Sequence, residues 1–411
     1  MKYGCIGEHL VHSFSKEIHN ALADYEYELR EIERDNLDSF MQNSDFNAIN
    51  VTIPYKELVI PHMYYVDAHA KEIGAVNTVV NRAGKLYGYN TDFYGMSCLL
   101  EHANIDIKDK KVAILGTGGT SKTAYAVSKA LGAKEIIKVS RHADDDSVSY
   151  LELYEKHTDA EVIINTTPVG MYPKIYDSPI ELSKFKNLLG VIDAIYNPLR
   201  TPLVLEAINR SIPAEGGLYM LVKQALRASE IFIDTAYSDK DGDEIFKNIM
   251  REKENIVLIG MPGSGKSTVG KILAKLYERP FIDTDALIEE RAGKTISKIF
   301  EEWGESSFRA LEHEIIKEAA AKNCSVISTG GGAVLNPNNI SALRENGKVY
   351  FIDRPLSALV PTPDRPLALS AEEIKKRYEE RYGIYVSAAD ERIDADCEVD
   401  SVVEKIKRSF G

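Results

Sequence analysis

The chain has 411 residues, a formal net charge of −13 at pH 7 and the hydrophobic and charged fractions of a folded globular protein. Its length exceeds what one ordinary core supports, so two or three domains are expected. The acidic balance disfavours a nucleic-acid partner, because a phosphate backbone binds basic surfaces. The four cysteines are far apart and form no C-x-x-C pair, which favours a reducing compartment over a disulfide framework or a zinc site.

The hydropathy pattern gives no sign of a membrane segment. The first ten residues contain no apolar run long enough for a signal peptide, and no later stretch approaches the roughly 20 apolar residues that span a bilayer. We therefore expect a cytoplasmic protein with small-molecule substrates and no membrane partner.

Short runs of β-formers alternate with helix-like segments along the chain, which predicts an α/β protein with largely parallel sheets. The clearest strands are Lys111–Leu115, Glu135–Val139, Glu161–Ile164, Ile256–Ile259, Ser325–Ser328 and Val349–Ile352. A polar stretch from Ser238 to Glu244 and the charged segment after it predict a linker over residues 238–254. The loop before Lys111 indicates a further division near residue 105.

The first glycine loop, Gly116-Thr-Gly118-Gly119, follows a predicted strand and precedes a helix-like segment. Lys122 and Thr123 stand where an ATP-type P-loop has Lys and Ser/Thr, but Ser121 replaces the glycine that lets such a loop wrap a phosphate. The dinucleotide pattern G-x-G-x-x-G tolerates a small residue at that third, packing position. The sequence therefore favours a dinucleotide-binding turn.

The next strand indicates which dinucleotide is bound. It ends in Ser140-Arg141-His142, without the acidic residue that binds a ribose 2′-hydroxyl in NAD sites. An arginine at this position can bind a 2′-phosphate. The loop is therefore predicted to bind NADP, with Arg141 as the discriminating residue.

Further polar clusters surround this loop in a specific order. They are His12-Ser13-Phe-Ser15, Asn50-Val-Thr52-Ile-Pro-Tyr-Lys56, Gly74-Ala-Val-Asn77-Thr, Asn90-Thr-Asp92, Asn165-Thr-Thr-Pro-Val-Gly170-Met and Gly217-Leu-Tyr-Met-Leu-Val-Lys-Gln224-Ala. Together they resemble shikimate dehydrogenase across residues 1 to about 237. The resemblance implies a substrate-binding α/β domain at residues 1–104, a Rossmann NADP-binding domain at 105–217 and a returning helix at 218–237.

The resemblance also implies roles for individual residues. Hydride reduction of a ketone leaves an alkoxide that must gain a proton, and Lys56 beside Asp92 would deliver it. The substrate would contact Ser13, Ser15, Thr52, Asn77, Tyr196 and Gln224. NADP(H) would contact Gly116, Gly118, Gly119, Arg141, Thr166, Gly217 and Met220. Lys16 departs from the family pattern, which usually has proline after the Ser-x-Ser element.

The second glycine loop, Gly260-Met-Pro-Gly-Ser-Gly-Lys-Ser267, fits the P-loop pattern G-x-x-x-x-G-K-[ST] at every position. It follows an apolar strand and precedes a helix-like segment, as the pattern requires. ATP is the predicted ligand, with Lys266 on the β- and γ-phosphates and Ser267 on Mg²⁺. The predicted contacts are Gly263, Ser264, Gly265, Lys266, Ser267 and Thr268.

Three features after the P-loop point to a small-molecule kinase. In Phe281-Ile-Asp283-Thr-Asp285, strand alternation predicts both carboxylates on one side, the first for the metal and the second for an acceptor hydroxyl. Arg309 and Glu312 share a helical face, where a structural salt bridge is the alternative interpretation. The remaining feature is a glycine run at 330–332 that lets backbone approach a ligand, together with basic residues at 365 and 381.

These motifs resemble shikimate kinase over residues 255–411. The resemblance implies that Arg309 and Arg381 bind the substrate carboxylate, since a guanidinium fork can bind two oxygens at once. Asp285 would bind the hydroxyl that is phosphorylated. The other implied residues are Gly331 and Gly332 at the ring, Ser267 and Asp283 at the metal, and Arg365 of the lid at the transferring phosphate. The run Val360-Pro-Thr-Pro-Asp364 is shorter than family lids and lacks their additional arginine, so weaker ATP binding is expected.

The sequence predicts a bifunctional enzyme that reduces 3-dehydroshikimate with NADPH and then phosphorylates shikimate with ATP to give shikimate 3-phosphate. Three alternatives remain open at this point. One is a quinate/shikimate dehydrogenase using NAD and joined to a gluconate-type kinase. The others are a shikimate-sensing module with one inactive half, and a nucleic-acid-dependent ATPase.

Overall fold

The computed structural model of the chain describes residues 1–10, 14–359 and 371–410. The chain divides into two compact units, Met1–Ile249 and Met250–Gly411. The segment predicted as a linker forms a helix over Asp239–Lys253 that contains this boundary. Its polar composition concealed an apolar stripe, because Ile245 and Ile249 recur at a spacing of four residues and are both buried.

The first sheet of unit 1 belongs to its N-terminal part. Among the described residues its strand order is β2-β1-β3-β5-β6-β4, with β3–β5 and β5–β6 antiparallel and the other pairs parallel. The strands are β1 (Tyr3–Gly7), β2 (Tyr27–Glu31), β3 (Ala48–Val51), β4 (Tyr65–Val66), β5 (Thr78–Arg82) and β6 (Lys85–Tyr89). The helices are α1 (Ser15–Leu22), α2 (Leu37–Asn43), α3 (Ala68–Ile73) and α4 (Asp92–His102).

The second sheet of unit 1 is parallel throughout, in the order β12-β11-β10-β7-β8-β9. Its strands are β7 (Lys111–Leu115), β8 (Glu135–Ser140), β9 (Val148–Ser149), β10 (Val162–Asn165), β11 (Gly190–Asp193) and β12 (Ala214–Glu215). The helices are α5 (Gly119–Ala130), α6 (Tyr150–Lys156), α7 (Pro202–Asn209), α8 (Leu218–Ile233) and α9 (Asp239–Lys253). The strand order reverses between β7 and β10, which opens a crevice at their carboxyl ends.

The described residues of unit 2 form one parallel sheet in the order β14-β15-β13-β16-β17. Its strands are β13 (Asn255–Ile259), β14 (Phe281–Asp283), β15 (Val326–Ser328), β16 (Gly347–Asp353) and β17 (Glu391–Asp394). The helices are α10 (Lys266–Leu276), α11 (Thr284–Ala292), α12 (Ile296–Ala320), α13 (Pro337–Asn346), α14 (Ala371–Ala388) and α15 (Val399–Phe410). Buried side chains pack on both faces of the sheet, which explains the apolar run Ile256–Ile259 in the central strand β13.

These sheets confirm the predicted α/β class: an α/β unit that contains a Rossmann sheet, followed by a P-loop unit. Within the described ranges, no helix combines the length and apolar character needed to cross a bilayer.

Candidate active sites

The Lys56–Asp92 pair is the chemical centre of unit 1. Lys56 Nζ donates to Asp92 Oδ2 at 2.6 Å, and the two side chains are only 17% and 10% exposed. Asp92 is the first residue of α4, and the carbonyl of Lys56 accepts from Val76 N–H at 2.8 Å. The pair therefore holds a proton donor at a fixed position in a partly dehydrated site.

A buried polar network links Asn77 to Gln224 through Thr91. Asn77 Nδ2 donates to Thr91 Oγ1 at 3.1 Å, and Thr91 N–H donates to Asn77 Oδ1 at 2.8 Å. Thr91 Oγ1 also lies 3.4 Å from Gln224 Oε1 on α8. The structure thus brings together two predicted substrate residues that are distant in sequence. Thr91 was not assigned a role from the sequence, although it lies inside the Asn90-Thr-Asp92 motif.

The other predicted substrate residues lie near the ends of α1, β3 and β11. Ser15 begins α1, and its neighbour Phe14 packs on the ring of Tyr196 with centroids 5.3 Å apart. Thr52 follows β3 and its N–H donates to Ile6 O at 2.9 Å. Ser13 lies outside the described residues.

Cys5, which the sequence did not single out, is buried in β1. Burial raises the pKa of the Cys5 thiol to about 12, and the charge of Lys56 opposes that shift. Burial also raises the pKa of Tyr196 to about 12, with a further contribution from Cys5. The thiol stays protonated there, so it contributes no charge.

The first glycine loop occupies the crevice between β7 and β10. Gly116 adopts φ +106°, and its N–H donates to Val139 O of β8 at 2.8 Å. Thr166, at the end of β10, donates through Oγ1 to Leu115 O at 2.6 Å. Arg141 is exposed and follows Val139 by two residues, so the loop and Arg141 lie at the same edge of the sheet.

Space for a ligand is present beside this loop. A Cβ added at Gly118 or Gly119 would meet no atom within 4 Å, whereas Ser121 is buried, as its predicted packing role requires. The remaining predicted contacts belong to α8. Gly217 precedes this helix and donates to Ile195 O at 2.8 Å, while the Met220 side chain is buried in the core. A pyrophosphate fits the open helix N-terminus at Gly118 and Gly119.

The P-loop of unit 2 has the predicted strand-to-helix context. Gly263 and Gly265 adopt φ values of +82° and +93°, which residues with a Cβ rarely adopt. Lys266 begins α10, is buried, and donates to the carbonyls of Gly260 and Met261 at 2.9 and 3.0 Å. Its ammonium therefore lies inside the loop that would hold the phosphates. Ser264 is buried in the same loop, and Thr268 is exposed on the first turn of α10.

Ser267 and Asp283 come together beside this loop. Ser267 Oγ donates to Asp283 Oδ2 at 2.9 Å. Asp283 Oδ1 accepts from the N–H groups of Asp285 and Ala286, so this carboxylate also caps α11. A hydroxyl and a carboxylate oxygen at this separation fit Mg²⁺, which prefers hard oxygen ligands.

The predicted strand alternation of Asp283 and Asp285 was wrong. The strand ends at Asp283, and Asp285 lies in the first turn of α11. The capping preference of Asp283 overrides β continuation, because its side chain satisfies two free N–H groups of the helix. Asp285 nevertheless reaches the glycine run, since a Cβ at Gly330 would lie 2.3 Å from Asp285 Oδ1.

Two arginines converge on the same glycine run. A Cβ at Gly332 would lie 2.3 Å from Arg309 Nη1, and Arg381 Nη1 donates to Gly331 O at 3.2 Å. Arg309 Nη1 also donates to the buried Glu312 at 2.8 Å, which confirms the shared helical face. Burial raises the pKa of Glu312, Arg309 and Arg381 oppose the shift, and Asp285 adds to it. Asp285, Arg309 and Arg381 thus surround one small volume.

Two further residues complete this account. Tyr385 on α14 donates to Gly331 O, and no motif in the sequence distinguished it from a core tyrosine. Arg365 and the lid run Val360–Asp364 lie outside the described residues, so their predicted role has no structural counterpart here.

The folds and sites define an oxidoreductase of the dinucleotide-binding type joined to a P-loop phosphotransferase. Residues 5–79 match the family model of the shikimate dehydrogenase substrate binding domain, and residues 262–410 match the model of shikimate kinase. The shikimate dehydrogenase (NADP(+)) of Clostridium beijerinckii is 38% identical over 253 residues, covering 58% of this chain and 94% of that protein.

Solved structures agree with these matches over the first unit. Shikimate dehydrogenase 1 from Peptoclostridium difficile has a TM-score of 0.56 at 36% identity and covers 61% of this chain and 98% of its own. Shikimate 5-dehydrogenase from Thermus thermophilus, in complex with NADP(H) and shikimate, has a TM-score of 0.55 at 25% identity and covers 60% and 99%. The chain belongs to the shikimate dehydrogenase family, and its second unit carries a shikimate kinase domain.

Proposed function

We propose that this chain catalyses two successive reactions: NADPH-dependent reduction of 3-dehydroshikimate to shikimate, and phosphorylation of shikimate by ATP to shikimate 3-phosphate. The observation that carries the proposal is the presence, in one chain, of a buried Lys–Asp pair and a site with two arginines beside a P-loop. The first suits reduction of a ketone, and the second suits a carboxylated acceptor.

In the dehydrogenase half, NADPH supplies the hydride when it is bound. Lys56 donates the proton that the developing alkoxide requires, and Asp92 holds the ammonium in place through the 2.6 Å contact. Asn77 and Gln224 bind substrate hydroxyls, and their shared partner Thr91 fixes the orientation of both. Ser13, Ser15, Thr52 and Tyr196 supply the other neutral contacts.

Cofactor choice in this half is assigned to Arg141. The pyrophosphate would lie against Gly118 and Gly119, where the structure leaves open space. Thr166, Gly217 and Met220 would line the rest of the cofactor site. Arg141 is exposed at the end of β8, where a ribose 2′-phosphate would be within reach of a guanidinium group. Two relatives support this assignment. The name of the Clostridium beijerinckii enzyme specifies NADP(+), and the Thermus thermophilus structure is a complex with NADP(H).

In the kinase half, Arg309 and Arg381 bind the substrate carboxylate and Asp285 orients the hydroxyl that attacks the phosphate. The P-loop and Lys266 hold the phosphates, and Arg365 contacts the transferring group from the lid. Ser267 and Asp283 would hold Mg²⁺, which would supply positive charge against the phosphates. Each residue acts by position and charge, as phosphoryl transfer requires.

We also propose the domain division that accompanies these roles: substrate binding by residues 1–104, NADP binding by 105–217, a returning helix at 218–237, and kinase chemistry from residue 255 onward. Fusion raises the proximity of the two sites without requiring a tunnel.

A coupled assay tests the proposal. The purified chain is given 3-dehydroshikimate, NADPH, ATP and Mg²⁺, and NADPH loss and ADP release are followed together. ADP release should require NADPH oxidation, because that step forms shikimate. When shikimate is supplied in place of 3-dehydroshikimate, ADP release should occur without NADPH. Quinate and gluconate serve as control substrates. ADP release that does not depend on either the reductive step or shikimate would contradict the proposal, as would preferential turnover of quinate with NAD or of gluconate.

A further inference from the structure

The carbonyl of Gly331 is held by two donors from α14. The Tyr385 hydroxyl donates to it, and Arg381 Nη1 donates to it at 3.2 Å. Tyr385 is fully buried, and its ring stacks on Phe351 of the central sheet with centroids 5.1 Å apart and an interplanar angle of 12°. The hydroxyl is therefore aimed by a ring that cannot easily move.

The glycine run containing Gly331 lies between three other described parts of the kinase site. A Cβ added at Gly331 would lie 2.6 Å from Pro262 of the P-loop, and Cβ atoms added at Gly330 and Gly332 would clash with Asp285 and Arg309. A change in this backbone would therefore alter the surroundings of the acceptor site. The segment needs a restraint of its own, because glycine has more backbone freedom than other residues.

We propose that Tyr385 is a positioning residue for shikimate binding, which fixes the Gly331–Gly332 peptide plane so that Gly332 N–H faces the substrate. This inference rests on the proposed kinase function. In a planar trans peptide the C=O of one residue and the N–H of the next point in opposite directions. Anchoring Gly331 O toward α14 therefore directs Gly332 N–H away from α14. The guanidinium of Arg309 lies beside Gly332.

Arg381 is not a dedicated restraint. It is also a proposed ligand of the substrate carboxylate, so its position depends on the substrate as well as on Gly331 O. Tyr385 has one hydroxyl hydrogen, and it donates the hydrogen bond from this hydroxyl to Gly331 O. The tyrosine therefore keeps the peptide oriented when Arg381 engages the substrate.

Tyr385→Phe tests this role, because it removes the hydroxyl and leaves the buried ring. We expect the KM for shikimate to rise about three- to tenfold, the range that corresponds to losing one buried hydrogen bond. The KM for ATP should stay within about twofold, and kcat should fall less than the KM rises. Shikimate affinity can also be measured directly by fluorescence of Trp303, the single tryptophan of the chain, which directly precedes the break at Gly304 in the segment that carries Arg309.

Tyr382→Phe is the matched control. Tyr382 lies on the same helix, its ring also contacts Phe351, and its hydroxyl donates to Asp353 Oδ2 at 3.1 Å instead of to the glycine run. This variant should leave the KM for shikimate unchanged. Equal effects of the two substitutions, an equal rise in the KM for ATP, or an unchanged shikimate KM in Tyr385→Phe would each overturn the inference.

Turnover of shikimate by the wild-type chain distinguishes failure of the proposed kinase function from failure of the positioning role of Tyr385. If the unmodified chain phosphorylates shikimate and Tyr385→Phe behaves as wild type, the function stands and the positioning role is lost. If the unmodified chain does not phosphorylate shikimate, both are lost.

Discussion

Replacing Lys56 with methionine should remove one activity and spare the other. The ammonium of Lys56 lies 2.6 Å from Asp92 Oδ2 in a site where both side chains are mostly buried. A positioned proton donor contributes about 10²–10⁴-fold to a rate, which is about 3–5 kcal/mol of transition-state stabilisation. We expect kcat for 3-dehydroshikimate reduction to fall by that factor. Shikimate phosphorylation should stay within about twofold of wild type.

The measurement uses one preparation for both activities, following NADPH absorbance and ADP release separately. Lys129→Met is the control, because Lys129 also pairs with a carboxylate, Glu72 at 3.0 Å, but both side chains are more than half exposed. It removes the same charge and should change neither rate appreciably. Lys56 would not be the proton donor if Lys56→Met kept more than about a tenth of the wild-type reductive kcat, or if the control lost as much activity.

Three further substitutions test the other assignments. Arg141→Ser should raise the KM for NADPH about tenfold or more and leave the KM for NADH nearly unchanged, because a charge-assisted contact to the 2′-phosphate is lost. Equal changes of KM for both cofactors in steady-state assays would contradict the role of Arg141 in cofactor choice. Asp283→Asn keeps a cap for α11 but removes a charge. The Mg²⁺ concentration for half-maximal kinase activity should therefore rise about 10–100-fold, while 3-dehydroshikimate reduction is unaffected. An unchanged Mg²⁺ titration would show that Asp283 does not bind the metal. Burial raises the pKa of Glu345 from 4.5 to about 8, so the folded state holds a proton that the unfolded chain loses and stability falls as pH rises across this window. Glu345→Gln should abolish that fall and raise the unfolding free energy of unit 2 near pH 9 by on the order of 4 kcal/mol. Urea unfolding followed by Trp303 fluorescence measures this difference. Parallel pH profiles of stability for the two proteins would contradict it.

Sequence patterns predicted the strands well where the sheet is buried on both sides. The predicted strand Lys111–Leu115 matches β7 at both ends, and Ile256–Ile259 matches β13 to within one residue. Both are continuous apolar runs, for which no alternation of faces has to be resolved. The glycine loops could be placed for the same reason, because each directly follows such a strand.

What the sequence did not give depends on side-chain contacts that periodicity does not contain. Asp283 ends its strand because its carboxylate caps the next helix. The segment predicted as a linker contains the boundary between the units and is helical, because Ile245 and Ile249 are buried in spite of its polar average. Tyr385 could not be found at all, since its role depends on a contact with Gly331, 54 residues away in sequence. Such long-range contacts require the fold to be known first.

The two glycine loops resemble each other as turns yet suit different nucleotides, and their lysines explain why. Lys266 turns back into its own loop, where it donates to the carbonyls of Gly260 and Met261 and is positioned to meet a phosphate. Lys122, in the corresponding place of the first loop, points out to Glu57, with Nζ 2.6 Å from Oε1. The first loop therefore offers a helix N-terminus without an internal cation, which suits a pyrophosphate that lies across it. The second surrounds its ligand with backbone and one ammonium, which suits the terminal phosphates of a triphosphate.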